Sequence, residues 1–223
     1  MTMRTLDGRR FADMVQQGAA HLANNAKAVD ALNVFPVPDG GTGTNMNLSM
    51  TSGAKEVKAN VSDHIGNVAA ALAKGLLMGA RGNSGVILSQ LFRGFAKAVE
   101  GKQQVNAFEF AAALQAGVDT AYKAVMKPVD GTILTVAKEA ARQAIDVAKK
   151  ERDVVAVMEA ALAKAKAALQ RTPELLPVLK EVGVVDSGGQ GLVYVYEGFL
   201  AALKGETITT TRTEVSMDDL VKM

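Results

Sequence analysis

The amino-acid sequence predicts an all-α protein, a barrel or bundle of about eight antiparallel helices. Apolar residues recur at intervals of three and four positions along most of the 223-residue chain, the spacing of one helix face. Strand-like alternation is scarce, at 191–196 and 206–213, and the first of these lies inside a helical period. Alanine is abundant beside the apolar positions, which suits helix formation and close helix approach.

The first four helices are predicted at 7–25, 45–58, 66–78 and 84–100. Apolar stripes support the first, third and fourth of them, and these stripes are Phe11, Met14, Val15, Gly18, Leu22 and Val29; Val68, Leu72 and Leu76; and Ile87, Leu91, Phe95 and Val99.

The last four helices are predicted at 107–125, 132–149, 153–170 and 188–204, with a short helical turn at 175–180. Their stripes are Ala111, Leu114, Val118, Tyr122 and Val125; Ile133, Ala137, Ala141 and Ile145; Val154, Met158, Ala161, Ala165 and Leu169; and Leu192, Val195, Phe199 and Leu203. Residues 1–204 are therefore expected to form one helical domain, followed by a polar linker or tail at 205–223.

Composition excludes several classes of function. There are 25 Lys and Arg residues against 23 Asp and Glu residues, and the net charge of +2 does not favour nucleic acid as a partner. The absence of cysteine excludes thiolate chemistry and disulfides and is typical of a reducing compartment. Because no apolar run reaches the length of a signal peptide or a membrane span, we expect a cytoplasmic protein without an integral membrane segment.

Glycine, serine, threonine and asparagine concentrate in every second loop. Short connections make successive helices antiparallel, so the loops before the second, fourth, sixth and eighth helices should lie at one end of the bundle. These loops are residues 38–45, 79–85, 127–132 and 186–189, whereas the opposite loops are ordinary polar connectors.

Converging helix starts can bind a polyphosphate, because each start presents unpaired N–H groups and the positive end of the helix dipole. Hydroxyl groups of Thr42, Thr44, Ser84, Thr132 and Ser187 could donate to phosphate, and Asp39 or Asp186 could hold Mg²⁺. The alternative is purely structural, since the same residue types form turns and cap helices. His21 and His64 are far apart in sequence and do not suggest a metal or catalytic site, and the sequence contains no P-loop or dinucleotide motif.

Four motifs in order carry a specific resemblance to a known family. They are NVFPVPDGGTGTNM at 33–46, GARGNSGVILSQ at 79–90, KPVDGTILT at 127–135 and GVVDSGG at 183–189. Together they closely resemble the N-terminal nucleotide-binding domain of bacterial fatty acid kinase, a relative of the L subunit of dihydroxyacetone kinase. The resemblance implies an eight-helix barrel that binds Mg-ATP at one end and phosphorylates a fatty acid carried by a separate acyl-binding protein, yielding acyl-phosphate and ADP. Kinases of this family continue into further domains.

The resemblance also implies roles for individual residues. It assigns Asp39 to metal binding and catalysis, and Asn33 to metal binding. The expected nucleotide-binding residues are Thr42, Gly43, Thr44, Asn45, Asn83, Ser84, Thr132, Asp186, Ser187 and Gly188. The family has a second metal-binding Asp where this chain has Gly41, so we expect impaired activity with weak nucleotide binding, and the alternative is an active enzyme in which water or phosphate takes the place of that carboxylate.

Two other functions stay open. One is a dihydroxyacetone-kinase-like phosphotransferase, although those relatives usually carry His where this chain has Thr42. The other is a non-catalytic lipid- or protein-interaction domain in which the glycine-rich loops only cap helices.

Overall fold

Eight long helices form a closed ring in a computed structural model that describes residues 2–35 and 40–209. Each helix packs against the next along the chain, and the last packs against the first. The helices are α1 Gly8–Ala31, α2 Thr42–Ala59, α3 Ile65–Gly79, α4 Gly82–Ala98, α5 Ala107–Ala124, α6 Ile133–Ala148, α7 Val154–Leu175 and α9 Ser187–Leu203, with a short α8, Pro177–Val182, between the last two. This arrangement confirms the all-α antiparallel barrel.

Two three-residue strands, β1 Thr5–Asp7 and β2 Gln104–Asn106, pair antiparallel at the end where α1 and α5 begin. The sequence pattern did not predict them because three residues are too few to display an alternation. Each strand ends in a residue that caps the following helix: Asp7 accepts from the N–H of Arg10, and Asn106 accepts from that of Glu109.

The aromatic core also lies towards this end of the barrel. Phe11 and Phe95 stack with ring centroids 5.0 Å apart, and Phe110 meets Phe95 edge-on at 6.1 Å. Phe92 and Phe199 extend the cluster, with centroids 6.0 Å apart. We call this end the aromatic end and the opposite one the loop end.

Three predicted helix boundaries were wrong. α1 continues to Ala31 instead of ending at residue 25, and α2 begins at Thr42, three residues before the predicted start, because side chains at the end of α1 cap its first turn. α7 continues past residue 170 to Leu175 although it contains Pro173. The hydroxyl of Thr172 donates to the carbonyl of Leu169 at 2.7 Å, which supplies a donor where proline has none.

In the tail, residues 206–209 are in neither a helix nor a strand, and residues 210–223 lie outside the described part of the chain. Among residues 2–35 and 40–209, none of the helices combines the length and apolar character that crossing a membrane requires.

Candidate functional site

The starts of α2, α4, α6 and α9 converge at the loop end, as the helix alternation predicts. A Cβ atom on Gly82 would lie 2.6 Å from the side-chain nitrogen of Asn45, so the start of α4 touches the start of α2. A Cβ atom on Gly188 would lie 2.8 Å from the Ser84 hydroxyl and 3.3 Å from Cβ of Ile133, so α9 meets both α4 and α6. A side chain at either position would collide with these neighbouring side chains, and Gly82 also has φ +69°, which favours glycine.

A cavity of about 240 Å³ opens between the starts of α4, α6 and α9. Asn83, Ser84, Thr132, Asp186 and Gly188, all predicted site residues, line it together with apolar side chains and Lys127. The apolar lining residues are Phe35, Ile87, Val125, Val129, Ile133 and Leu134. An apolar pocket with a few convergent polar groups is the usual form of a small-molecule site.

The two ends of the barrel differ in how their helices are capped. At the aromatic end α1, α3, α5 and α7 all begin with a capping side chain, from Asp7, His64, Asn106 and Asp153 respectively. At the loop end, in the described part of the chain, Arg81 and Thr132 precede α4 and α6 without a capping side-chain hydrogen bond, and Gly41 before α2 has no side chain. Asp186 does cap α9 at this end, by accepting from the N–H of Gly189. Arg81 and Thr132 are therefore not explained as N-caps, whereas Asp186 is.

The start of α2 is held by two side chains, from Asp30 of α1 and from Asn33, two residues beyond the end of α1. The Asp30 carboxylate accepts from the backbone N–H of Thr44 at 2.9 Å and from its hydroxyl at 2.7 Å. Oδ1 of Asn33 accepts from the backbone N–H of Thr42 at 2.8 Å and from its hydroxyl at 2.5 Å. Both threonine hydroxyl groups thus donate to side chains of the protein in this structure.

Gly43 serves helix packing. A Cβ atom at this position would lie 2.0 Å from the carbonyl oxygen of Ala26, so the missing side chain allows α2 to lie directly against α1. The predicted contact of Gly43 with phosphate would therefore have to be made by its backbone atoms.

Asp186 joins two helix starts. It is 4% exposed, and Oδ2 accepts from the N–H of Gly189 in α9 at 2.8 Å. A backbone hydrogen bond with Ile133 of α6 also lowers the pKa of this carboxyl, but burial outweighs both hydrogen bonds and raises the pKa to about 6. In this structure the Asp186 carboxyl thus links the starts of α6 and α9 in the wall of the cavity.

Three of the predicted residues remain, Thr132, Ser187 and Asp39. The Thr132 hydroxyl donates to the carbonyl of Val129 at 2.7 Å, and so stabilises its own loop. Ser187, the first residue of α9, is 3% exposed and buried behind the cavity. Asp39, the predicted metal and catalytic residue, lies outside the described residues.

Sequence reasoning missed Asp30, Lys127 and Phe35. Asp30 was missed because the first helix was ended at residue 25; continuing the helical period to Val29 places Asp30 beside Asn33. Lys127 stands directly before the Pro-Val-Asp-Gly-Thr turn of the third motif, and its position there was the available signal.

The oxygen atoms of Asp30 and Asn33 beside the start of α2 are of the kind that binds a magnesium ion. Such an ion would arrive with a nucleotide. Mg²⁺ usually takes one or two carboxylates, and phosphates and water complete its octahedron. Asp30 provides a carboxylate and Asn33 an amide oxygen at this place. In residues 2–35 and 40–209, no three His, Cys, Asp or Glu side chains are grouped so that they could hold a metal by themselves, so the phosphates would have to supply much of the coordination.

Comparison with known proteins identifies the family. The family model of the DAK2 domain matches residues 36–201. The chain belongs to the DAK2 domain family. The DAK2 chain is 70% identical over 221 residues to Protein YloV of Bacillus subtilis, covering 99% of this chain and 40% of YloV. It is 60% identical over 216 residues to the uncharacterized protein SH1689 of Staphylococcus haemolyticus, covering 97% and 39% respectively. It thus spans about two fifths of the length of these relatives.

The barrel also matches solved structures. The native crystal structure of the dihydroxyacetone kinase of C. freundii superposes with a TM-score of 0.63 at 21% identity, covering 86% of this chain and 34% of the kinase. The structure of that kinase in complex with AMP-PNP and Mg²⁺ gives the same TM-score at 22% identity, with 86% and 33% covered. These likenesses show that the DAK2 domain has the fold of one part of that kinase.

Proposed function

We propose that this DAK2 domain is the ATP-binding phosphotransferase domain of a fatty acid kinase. The observation that carries the proposal is the contrast between the two ends of the barrel. At the loop end the start of α4 has no capping side chain, and one buried carboxyl, Asp186, accepts from the starts of both α6 and α9, which meet α4 around a cavity. At the aromatic end each helix start has a capping side chain of its own. The start of α4, which has no capping side chain, is available to an anion.

The cavity suits one part of a nucleotide. Its volume of about 240 Å³ is below the usual range of about 300–1,000 Å³ for sites that enclose a whole ligand. Its apolar lining from Phe35, Ile87 and Val129 suits a base, and Lys127 contributes a positive charge beside the polar groups. The phosphates would then extend over the starts of α4 and α2, which are in contact at Gly82 and Asn45.

The metal would lie near Asp30 and Asn33, and the resemblance to fatty acid kinase adds Asp39 as a ligand. The chemistry that bound Mg²⁺ supplies in phosphoryl transfer is neutralisation of charge on the phosphate oxygens. Asp30 and Asn33 fix the direction of α2 through Thr42 and Thr44, so they would position both the cation and the helix start that faces the phosphates.

A carboxyl group is the acceptor that this site suits. A fatty acid carboxylate is already ionised at neutral pH and needs no general base. Neither histidine is placed to act as one, since His21 lies 3.4 Å from Glu197 between α1 and α9, and His64 caps α3 at the aromatic end. We infer that the fatty acid is presented by a separate acyl-binding protein and that ATP is converted to ADP.

Gly41 makes the proposed site weaker than the family pattern. Its backbone has φ −99° and ψ −5°, which an L-residue adopts without strain, and it is the N-cap of α2, a position that aspartate favours. The glycine therefore serves no evident conformational purpose. It leaves the metal site one carboxylate short of the family pattern, so we propose that this chain binds nucleotide weakly and has impaired activity.

The substitution Gly41→Asp tests the proposal. We expect it to tighten Mg-ATP binding by about tenfold or more, about 1.4 kcal/mol, in titration calorimetry, and to leave ATP binding in EDTA little changed. Gln103→Asp is the control, because it adds the same charge at an exposed position directly before β2, at the aromatic end. Equal effects of the two substitutions, or weaker Mg-ATP binding with Gly41→Asp, would refute the metal site.

The acceptor is tested separately. In a chain extended to the length of the relatives, Gly41→Asp should raise acyl-phosphate formation from a fatty acid on its acyl-binding protein, and dihydroxyacetone should not be phosphorylated. Phosphorylation of dihydroxyacetone alone would show the second type of kinase. Absence of any nucleotide binding at millimolar ATP by the folded domain would favour the interaction domain instead.

A further inference from the structure

The four sequence motifs at the loop end contain two cationic residues, Arg81 in the second motif and Lys127 in the third. Lys127 lines the cavity between α4, α6 and α9, whereas Arg81 is not among the described residues that line it. The loop end therefore carries a second positive charge to which the cavity gives no role. Its position between α2 and α4 indicates what it could bind.

The backbone of Arg81 is fixed against α2. Its N–H donates to the hydroxyl of Ser49 at 3.0 Å, and that hydroxyl donates to the carbonyl of Asn45 at 2.8 Å. Ser49 itself is fully buried. Arg81 thus has a defined place, beside the first turns of α2 and directly before the first residue of α4.

The side chain of Arg81 is not used by the fold. It is exposed and makes no capping hydrogen bond at the start of α4, and within residues 2–35 and 40–209 it forms no ion pair. By comparison, the guanidinium group of Arg171 contacts the carboxylate of Glu139 at 3.3 Å and links α7 to α6. The guanidinium group of Arg81 is therefore available to a ligand.

Arg81 lies on the α2 side of the start of α4. The residues Asn83 and Ser84, which follow it in the chain, line the cavity, and Gly82 contacts the side chain of Asn45. From the cavity towards α2, the surface thus passes from Ser84 to Arg81 and then to Asn45. A nucleotide with its base in the cavity and its phosphates over these helix starts would bring its last phosphate closest to Arg81.

The proposed magnesium site lies at the same start of α2, beside Asp30 and Asn33. In phosphoryl transfer the metal bridges oxygens of the last two phosphates of the nucleotide. A guanidinium group complements such a metal, because its planar pair of N–H donors matches two phosphate oxygens and adds positive charge. The last phosphate would then lie between Arg81 and the start of α2.

We propose that Arg81 binds the terminal phosphate of ATP, and that this contact makes the domain bind ATP more tightly than ADP. The inference rests on the proposed function, since it takes the loop end as the nucleotide site. The contact does not pass through the metal, so it persists without Mg²⁺. In this respect it differs from the effects expected of Asp30 and of the Gly41→Asp substitution.

A comparison of ATP with ADP tests the assignment. We expect Arg81→Ala to weaken ATP binding by about tenfold, with Mg²⁺ and in EDTA, and to weaken ADP binding by less than about twofold, because ADP lacks the phosphate concerned. Arg81→Lys keeps the charge without the paired donors and should restore part of the loss. Arg93→Ala is the matched control, since Arg93 is exposed on the same helix about 18 Å further from the loop end. Titrations followed by amide NMR signals give the dissociation constants even where binding is weak.

Two outcomes would overturn the inference alone. They are unchanged ATP binding in Arg81→Ala, and equal weakening of ATP and ADP, which would place Arg81 at a phosphate that both nucleotides share. Absence of ATP binding by the unmodified, folded chain would refute the proposed function and the inference together. Both Arg81 variants keep the N–H that donates to Ser49, so we expect them to fold, and circular dichroism checks that they do.

Discussion

At the scale of single residues, Asp30 has a structural role at the start of α2 and a proposed role in metal binding, and a simple truncation would remove both. It holds the start of α2 through two hydrogen bonds with Thr44, and it is the described carboxylate nearest to the proposed metal. Replacing it by alanine removes both tasks. Replacing it by asparagine leaves an oxygen that can accept from Thr44 and removes only the charge.

We therefore expect Asp30→Ala to lower the free energy of unfolding by about 1–2 kcal/mol, as the loss of a helix cap does, while Asp30→Asn costs less. Both variants should weaken Mg-ATP binding by about tenfold or more, and ATP binding in EDTA should change little. Urea unfolding and calorimetry measure the two effects. If Asp30→Asn bound Mg-ATP as tightly as the unmodified chain, Asp30 would be a structural cap alone.

The residues of the candidate site were predictable to different degrees. Asn83, Ser84, Thr132, Asp186 and Gly188 do line one cavity, because their motifs stand at alternate helix starts. The direction of each hydroxyl group was not predictable. Whether Thr132 donates to a ligand or to the carbonyl of Val129 depends on the path of its loop, which a motif does not specify.

At the scale of elements, the Asp186 side chain links the start of α6 to the start of α9 through hydrogen bonds. Its carboxyl takes backbone hydrogen bonds from Gly189 and Ile133, and its own N–H donates to the hydroxyl of Thr172 in α7. Three helices thus meet at one buried group. The sequence showed Asp186 as a cap or a ligand, and only the packing of α6 against α9 shows that it serves two helices.

This carboxyl should produce a specific pH dependence. Its pKa is raised from 3.8 to about 6 in the folded protein, so between these values the folded state binds the proton more tightly than the unfolded state. The contribution of Asp186 to stability is therefore greatest below about pH 4, falls as pH rises to about 6, and is constant above, with a total change of up to about 3 kcal/mol.

The variant Asp186→Asn isolates this contribution, because it keeps an acceptor for Gly189 and does not titrate. We expect its free energy of unfolding, relative to that of the unmodified chain, to rise by up to about 3 kcal/mol between pH 4 and pH 7. Denaturant unfolding at a series of pH values, without nucleotide, gives this difference. Asp146→Asn is a suitable control, since Asp146 is exposed on α6. A pH-independent difference for Asp186→Asn would mean that the carboxyl is not desolvated.

At the scale of the whole molecule, the contacts that stabilise the barrel and the residues of the proposed site lie towards opposite ends. The stacked and edge-on phenylalanine rings and the capped helix starts lie towards the aromatic end. The cavity and the start of α4, which has no capping side chain, lie at the loop end, and Gly82 and Gly188 allow close contacts there. A protein can leave helix starts uncapped at one end where the rest of the fold compensates for the cost.

Most of this architecture could be predicted because helical periodicity and short connections leave few arrangements. Eight predicted helices, seven of them marked by an apolar stripe, give an up-and-down order when short loops join them, and the order alone places four loops at one end. Closure of the ring was not visible in the sequence. It depends on α9 packing against α1, where Gly18 and Gly198 bring the two backbones close together, and such a contact between distant residues has no local signal.

The common site at the loop end leads to a prediction that no single loop would give. If Mg-ATP binds there, one ligand contacts the starts of α2, α4, α6 and α9, which are far apart in sequence. Amide hydrogen exchange should then slow at all four starts together. The starts of α3, α5 and α7, capped by His64, Asn106 and Asp153, serve as the internal control, and their exchange should change only as much as global stability does. At a ligand concentration of 100 times the dissociation constant, global stabilisation is about 2.7 kcal/mol. Mass spectrometry of the exchanged peptides resolves the eight starts, because each lies in a different part of the chain.

Two outcomes would contradict the prediction. Slowing at the start of α2 alone would place the ligand on the Asp30 side without the cavity. Uniform slowing at both ends would show stabilisation without a site at the loop end.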